Sequence, residues 1–166
     1  MLKGSLAAAT VAAALAVAGA ATATAASGHA AAAKARSVTL HLVRKDIGFN
    51  FVDNPPRQGL NAPALIGDQF AFTSNLLTPS GARVGTFDAV CTVTRGGVNP
   101  RQACYGFYAL KGGQLSGMAV VTNARTNHVS IVGGTGIYAG VTGSATEVPR
   151  GENNPLTDIT VHLLYP

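Results

Sequence analysis

The sequence predicts an all-β domain closed into an eight-stranded antiparallel barrel, and three observations predict it. Val, Ile and Thr supply 32 of the 130 residues from Ser37 onward, and these side chains fit a pleated, half-buried surface. Strong helix formers are scarce over the same stretch, which holds only two Glu (Glu147, Glu152) and two Lys (Lys45, Lys111). Seventeen glycines punctuate it, leaving short alternating runs joined by hairpin-length connections. About eight such runs in one small domain favour closure, because closing the sheet removes its exposed edges.

The first run, residues 38–43, alternates Val38, Leu40 and Leu42 with Thr39, His41 and Val43. An irregular stretch, residues 48–67, follows it and contains Pro55, Pro56 and Pro63. Residues 68–78 form the second run, with Phe70, Phe72, Ser74 and Leu76 on one face and Gln69, Ala71, Thr73 and Asn75 on the other. The turn Pro79-Ser80-Gly81 leads to residues 83–94, where Phe87, Ala89, Cys91 and Val93 share a face. Residues 102–110, 114–123, 128–132, 141–148 and 157–164 complete the set. A barrel of this size is either filled by its own side chains or holds one small ligand.

The N-terminal part has a different composition. Of 29 alanines, 18 fall in residues 1–36. Lys3 precedes an apolar stretch that ends in Ala21-Thr22-Ala23 and Ala23-Thr24-Ala25, the pattern of a secretory signal peptide. We therefore expect residues 1–25 to be a Sec-type signal, 26–37 an Ala-rich lead-in, and 38–166 a single barrel domain in a secreted protein. The apolar run is short and weakly hydrophobic, which speaks against a membrane anchor and stable membrane insertion. Formal charge is +5 for the chain but +2 from residue 37 onward, and without clustered cations a nucleic-acid surface is not expected.

Cys91 and Cys104 flank the turn-forming segment 95–101. In an oxidising compartment a bridge between them is expected, two buried thiols being the alternative. Gly134-Thr135-Gly136-Ile137-Tyr138-Ala139 matches a dinucleotide-binding pattern, but Gly140 and Gly143 follow where a helix is required, so Gly133, Gly134, Gly136 and Gly140 read as a tight structural turn. His29, His41, His128 and His162 show no metal-ligand spacing, and no metal or other cofactor is expected. His41 and His162 fall on the first and last strands and so have a chance to meet. Asp46, Asp53, Asp68, Asp88 and Asp158 form no local carboxylate pair, and Arg44, Lys45 and Arg83 read as isolated, solvated cations. Tyr105, Phe107, Tyr108 and Tyr138 read as core residues, or as lumen walls if the lumen is open.

Taken together, Gly67-Asp68, Phe72-Thr73, Arg83-Val84-Gly85, Cys91, Tyr105-Gly106-Phe107-Tyr108, Leu115-Ser116 and the segment Gly133-Gly134-Thr135-Gly136-Ile137-Tyr138-Ala139-Gly140 resemble the allene oxide cyclase and dirigent barrel superfamily. The resemblance covers about residues 38–164. It implies a closed eight-stranded barrel, commonly a trimer, with an apolar lumen that holds a reactive substrate in one conformation. Phe72 and Cys91 fall on family lumen positions, and the family register turns Tyr105 and Phe107 inward and Cys104 outward. Ser74 stands where the plant cyclase has an asparagine that positions a water. His41 and Val43 replace its first-strand glutamate and asparagine, and no tyrosine matches its later lumen tyrosine near Val120.

The expectation is thus a secreted homotrimeric barrel that binds a small hydrophobic or phenolic molecule, with Phe70, Phe72, Ser74, Cys91, Tyr105 and Phe107 around the ligand and no assigned catalytic residue. A cyclase or isomerase, and a filled barrel with a structural or interaction role, are the alternatives.

Overall fold

The computed structural model describes residues 36–56, 63–151 and 154–166; the expected signal peptide and almost all of the lead-in lie outside the described residues. Eight strands follow in order: β1 (Arg36–Val52), β2 (Gln69–Leu77), β3 (Arg83–Arg95), β4 (Arg101–Leu110), β5 (Gly113–Val121), β6 (Asn127–Gly134), β7 (Thr142–Pro149) and β8 (Leu156–Tyr165). Each pairs antiparallel with the next, and β1 closes the barrel on β8 from Arg36↔Tyr165 to Lys45↔Leu156.

β1 is longer than its alternation suggests. Ile47 forms a bulge between Asp46↔Ser74 and Gly48↔Thr73, after which the strand continues to Val52. Residues 48–52, expected to be irregular, are therefore strand. The extra residue re-aims the strand, so Phe49 and Phe51 pair with Phe72 and Phe70. These four rings make one aromatic cluster, with centroids 5.1–6.5 Å apart. β1 also starts two residues before the expected boundary, at Arg36, whose guanidinium lies 4.7 Å from the Tyr165 ring centroid.

The barrel has two unlike ends. At the turn end, where β2 meets β3 and β4 meets β5, the interior is filled by Leu76, Leu115, Ile131, Tyr138, Val141, Val161 and Leu163. Each of the larger aliphatic side chains contributes roughly 1.5–3 kcal/mol by leaving water. The segment after β6 seals this end with a 3-10 turn at Gly136–Tyr138 that buries Tyr138. Gly136 has φ 61°, and a Cβ there would run into the carbonyl oxygen of Gly112, so only glycine lets the two turns pack together. The other, loop end carries the approach to β2 and the β3–β4, β5–β6 and β7–β8 connections.

Cys91 and Cys104 are directly opposed in the β3–β4 ladder and disulfide-bonded, with Cα atoms 4.0 Å apart. Both point inward, correcting the expectation that Cys104 faces out. No bulge separates them; the shift in this ladder lies beyond, between Val93 and Arg95. The bridge closes a loop of about 14 residues, worth on the order of 3 kcal/mol in the chain-entropy model. Cys91→Ser with Cys104→Ser is expected to lower the melting temperature by an amount that reductant reproduces in the native protein, and intact mass of the native protein should rise by about two daltons on reduction. An unchanged mass and melting temperature would exclude the bridge.

Candidate functional site

A cavity of about 200 Å³ occupies the open half of the barrel. Its walls are Phe72, Phe87, Ala89, the Cys91–Cys104 bridge, Ala119, Val121 and Val129, with Gln102 and Asn127 at the loop end. Small inward residues create the space: β4 and β5 place Gly106 and Gly117 opposite each other where larger side chains would project into the lumen. A Cβ on Gly106 would lie 3.0 Å from the Phe87 ring, and one on Gly117 2.8 Å from Val129. Phe87 and Val129 therefore stand at their present depth only because glycines face them.

The cavity floor is polar. Arg44, following Val38, Leu40 and Leu42 on the inner face of β1, donates from Nη1 to Glu147 Oε2 of β7 at 3.0 Å. The phenol of Tyr108 on β4 donates to Glu147 Oε1 at 2.9 Å. On the other side Arg44 Nε donates to Asp46 Oδ1 at 3.1 Å, and Ser74 Oγ donates to the same oxygen at 2.8 Å. The guanidinium carbon also lies 5.2 Å from the Phe87 ring centroid. Four strands thus contribute to one chain of charge-assisted hydrogen bonds.

Burial sets the electrostatics. Tyr108 is fully buried and Glu147 nearly so. Burial, then the negative charge of Glu147 and its hydrogen bond, hold the Tyr108 phenol far above its ordinary pKa, while Arg44 acts in the opposite direction. Tyr108 is therefore a neutral donor and Arg44 a cation shared between two carboxylates. A lone charge at this depth would be costly, so each needs its partner.

The sequence-predicted residues divide. Phe70, Phe72, Ser74 and Cys91 take the inner face, with Phe72 and Cys91 on the cavity, Ser74 in the polar floor, and Phe70 in the aromatic cluster. Tyr105 borders the cavity, but neither it nor Phe107 takes the inner face. They are 51% and 42% exposed and point outward, because the Cys91↔Cys104 pairing puts Cys104, Gly106 and Tyr108 inside. Of the tyrosines read as core, Tyr108 and Tyr138 are buried. His41 and His162 each bond a threonine opposite, Thr160 at 3.5 Å and Thr39 at 3.0 Å, on the outer wall. Among the described residues no group of three His, Cys, Asp or Glu side chains is arranged to hold a metal.

Arg44, Asp46 and Glu147 are the functional candidates that sequence reading missed. By sequence Arg44 reads as a solvated cation, and Asp46 belongs to no local pair of carboxylates. The signal was present for Arg44, which keeps the parity of Leu40 and Leu42 and so must point inward. Nothing local marks Glu147 beyond its being one of two glutamates.

The chain shares its barrel fold with several solved proteins. It superposes on a pyocyanin demethylase with TM-score 0.64 and 25% identity, over 76% of this chain and 99% of that one. A pterocarpan synthase dirigent protein matches at TM-score 0.65 and 19% identity, covering 78% and 96% of the two chains. An exo-specific intermolecular Diels-Alderase matches at 0.59 and 13%, covering 80% and 99%. No family model and no curated protein matches the sequence.

Three expectations follow, two from the polar floor and one from an exposed ion pair that serves as its contrast. Arg44→Ala leaves Glu147 buried without its cation and should cost about 3 kcal/mol, read as a lowered denaturation midpoint. Arg150→Ala removes the exposed Arg150–Asp158 pair, 2.7 Å long, and should leave the midpoint within error. For Tyr108 the folded state favours the neutral phenol, so its contribution is complete below the unfolded pKa of about 10 and is lost as pH rises above it. Stability should fall above about pH 10 in the native protein and fall less steeply in Tyr108→Phe. Equal alkaline slopes would show that Tyr108 is not held neutral.

Proposed function

We propose that the protein is a secreted barrel that binds one small apolar or phenolic molecule in the open half of its lumen and holds it in one conformation. The observation that carries this reading is the cavity itself, apolar along most of its walls, with polar groups at its floor and Gln102 and Asn127 at its loop end. That is the general design of a small-molecule site, in which burial supplies affinity and a few polar groups set orientation. Apolar cavities of about 150 Å³ accept benzene, so this one suits a ligand of one or two rings. The demethylase, the dirigent protein and the Diels-Alderase are named for reactions of small molecules, which supports the same reading. Secretion is supported by the pattern of residues 1–25, and the disulfide agrees with an oxidising compartment.

One observation favours a second reading, a cyclase or isomerase: the cavity floor presents a neutral phenol, a carboxylate and a guanidinium. A proton donor, an acceptor and a fixed positive charge beneath one ligand suffice to polarise a bound carbonyl or epoxide.

We further propose assembly into a homotrimer through the outer wall of β3, β4 and β5. Val90, Tyr105 and Met118 pair across these strands, and Ala103 with Val120 forms the adjacent row. Together with Phe107 they leave a broad apolar surface, and a concavity of about 460 Å³ lined by Asn50, Ala71, Val90, Tyr105 and Phe107 adjoins it. Contiguous exposed apolar area of this kind marks an interaction surface.

Phe72→Ser and Phe107→Ser separate the two roles. Phe72→Ser is expected to weaken uptake of 2-naphthol at least tenfold, measured by titration calorimetry, with the oligomer intact. Phe107→Ser should leave uptake unchanged and lower the mass measured by light scattering. No uptake by the native protein, or uptake lost through Phe107 and kept without Phe72, would contradict lumen binding.

A further inference from the structure

The loop end of the barrel is both apolar and basic, and the cavity opens there. Val98, at the tip of the β3–β4 hairpin, is 92% exposed, and Ile66, before β2, is 70% exposed. Backbone hydrogen bonds bring their segments together: Gly97 N–H donates to the Ala64 carbonyl at 3.2 Å, and Gly67 N–H to the Val93 carbonyl at 3.0 Å. Gly96 permits the approach, since a Cβ there would meet the Ala64 carbonyl oxygen. Asn123 Nδ2 donates to the Val98 carbonyl at 3.5 Å, tying in the β5–β6 turn. Val98, Ile66 and the half-exposed Leu65 therefore protrude from one braced rim, where folding alone would have favoured polar tips.

Charge on the rim has one dominant sign. Arg95 and Arg101 flank the Val98 hairpin and Arg125 tops the β5–β6 turn, all three exposed. No carboxylate occurs in residues 94–101 or 121–127. Among the described residues none of these arginines is in an ion pair. Nearby acids are occupied: Asp68 is buried and accepts from the N–H groups of Asn54 and Leu65, Asp53 directly after β1 also has a partner, and Asp158 is held by Arg150. Gln102 and Asn127, which line the cavity, begin the strands that leave these turns.

We infer that this rim docks on an anionic lipid surface, with Val98, Ile66 and Leu65 at the boundary of headgroups and acyl chains and Arg95, Arg101 and Arg125 on the phosphates. Isolated aliphatic tips ringed by guanidinium groups suit a fluid, negatively charged surface, to which each basic residue adds a share of the attraction. Convex tips of this kind offer a protein partner no groove to fill. The barrel lies on the surface and does not span it. Taken with the lumen reading proposed above, the cavity mouth faces the bilayer, and the ligand class narrows to molecules that partition into lipid.

The test uses ligand-free native protein and vesicles of phosphatidylcholine alone or mixed with phosphatidylglycerol, read by co-sedimentation. The expected result is partition onto the anionic vesicles only, weakened by salt, reduced about fivefold by Arg101→Gln, and reduced more by Val98→Asp. Arg83→Gln, which removes an exposed cation at the opposite end of the barrel, should partition like the native protein. No partition, equal partition onto both vesicle types, or loss through Arg83→Gln without loss through Val98→Asp would overturn the inference. Because the assay contains no lumen ligand, its failure leaves 2-naphthol uptake as an independent measure of the cavity.

Discussion

A guanidinium inside a β-barrel must find an anion, and the way Arg44 does so organises the interior. Glu147 reaches it from β7 and Asp46 from its own strand, while Tyr108 and Ser74 donate to the carboxylates from β4 and β2. The buried part of this charged layer cannot be displaced piecemeal, since Glu147 without Arg44 would bear the cost of its burial unpaired, whereas Asp46 stays exposed at the layer's edge. Below it the barrel is packed hydrocarbon. Above it small residues and the disulfide leave space. The interior is thus neither wholly filled nor wholly open, and the polar layer is the boundary.

The upper walls follow from the same economy of side-chain volume. Gly106 and Gly117 deny the cavity two side chains, and Phe87 and Val129 hold positions that a methyl group on either glycine would crowd. The cystine adds a short, rigid link between β3 and β4. It also decides which face of β4 is which. With Cys104 fixed opposite Cys91, alternation sends Tyr105 and Phe107 to the outer wall, where they become the centre of an apolar surface instead of its lining.

Closure, strand order and the faces of β2 and β3 were legible because each run alternates cleanly, with polar or small residues opposite Phe and Leu. β4 was not legible, because both its faces are apolar and a one-residue change of register reverses them without breaking any local pattern. The family register chose the wrong face. The expected disulfide contained the correction, since a bridge between directly paired strands requires Cys104 to face as Cys91 does. The continuation of β1 was hidden by the bulge at Ile47, which interrupts the alternation that a strand would otherwise show. The polar layer was beyond local reading altogether: Arg44 and Glu147 are 103 residues apart and meet only because the barrel closes β1 onto β8, beside β7.

The central claim, that a small apolar molecule sits above the polar layer and inside the upper half of the barrel, is tested most directly by NMR chemical-shift mapping with 2-naphthol. The account predicts perturbed methyl resonances for Ala89, Ala119, Val121 and Val129, with Leu115, Val141 and Leu163 in the packed half unmoved. Perturbations confined to Val90, Met118 and Val120 on the outer wall, or distributed over both halves alike, would contradict it.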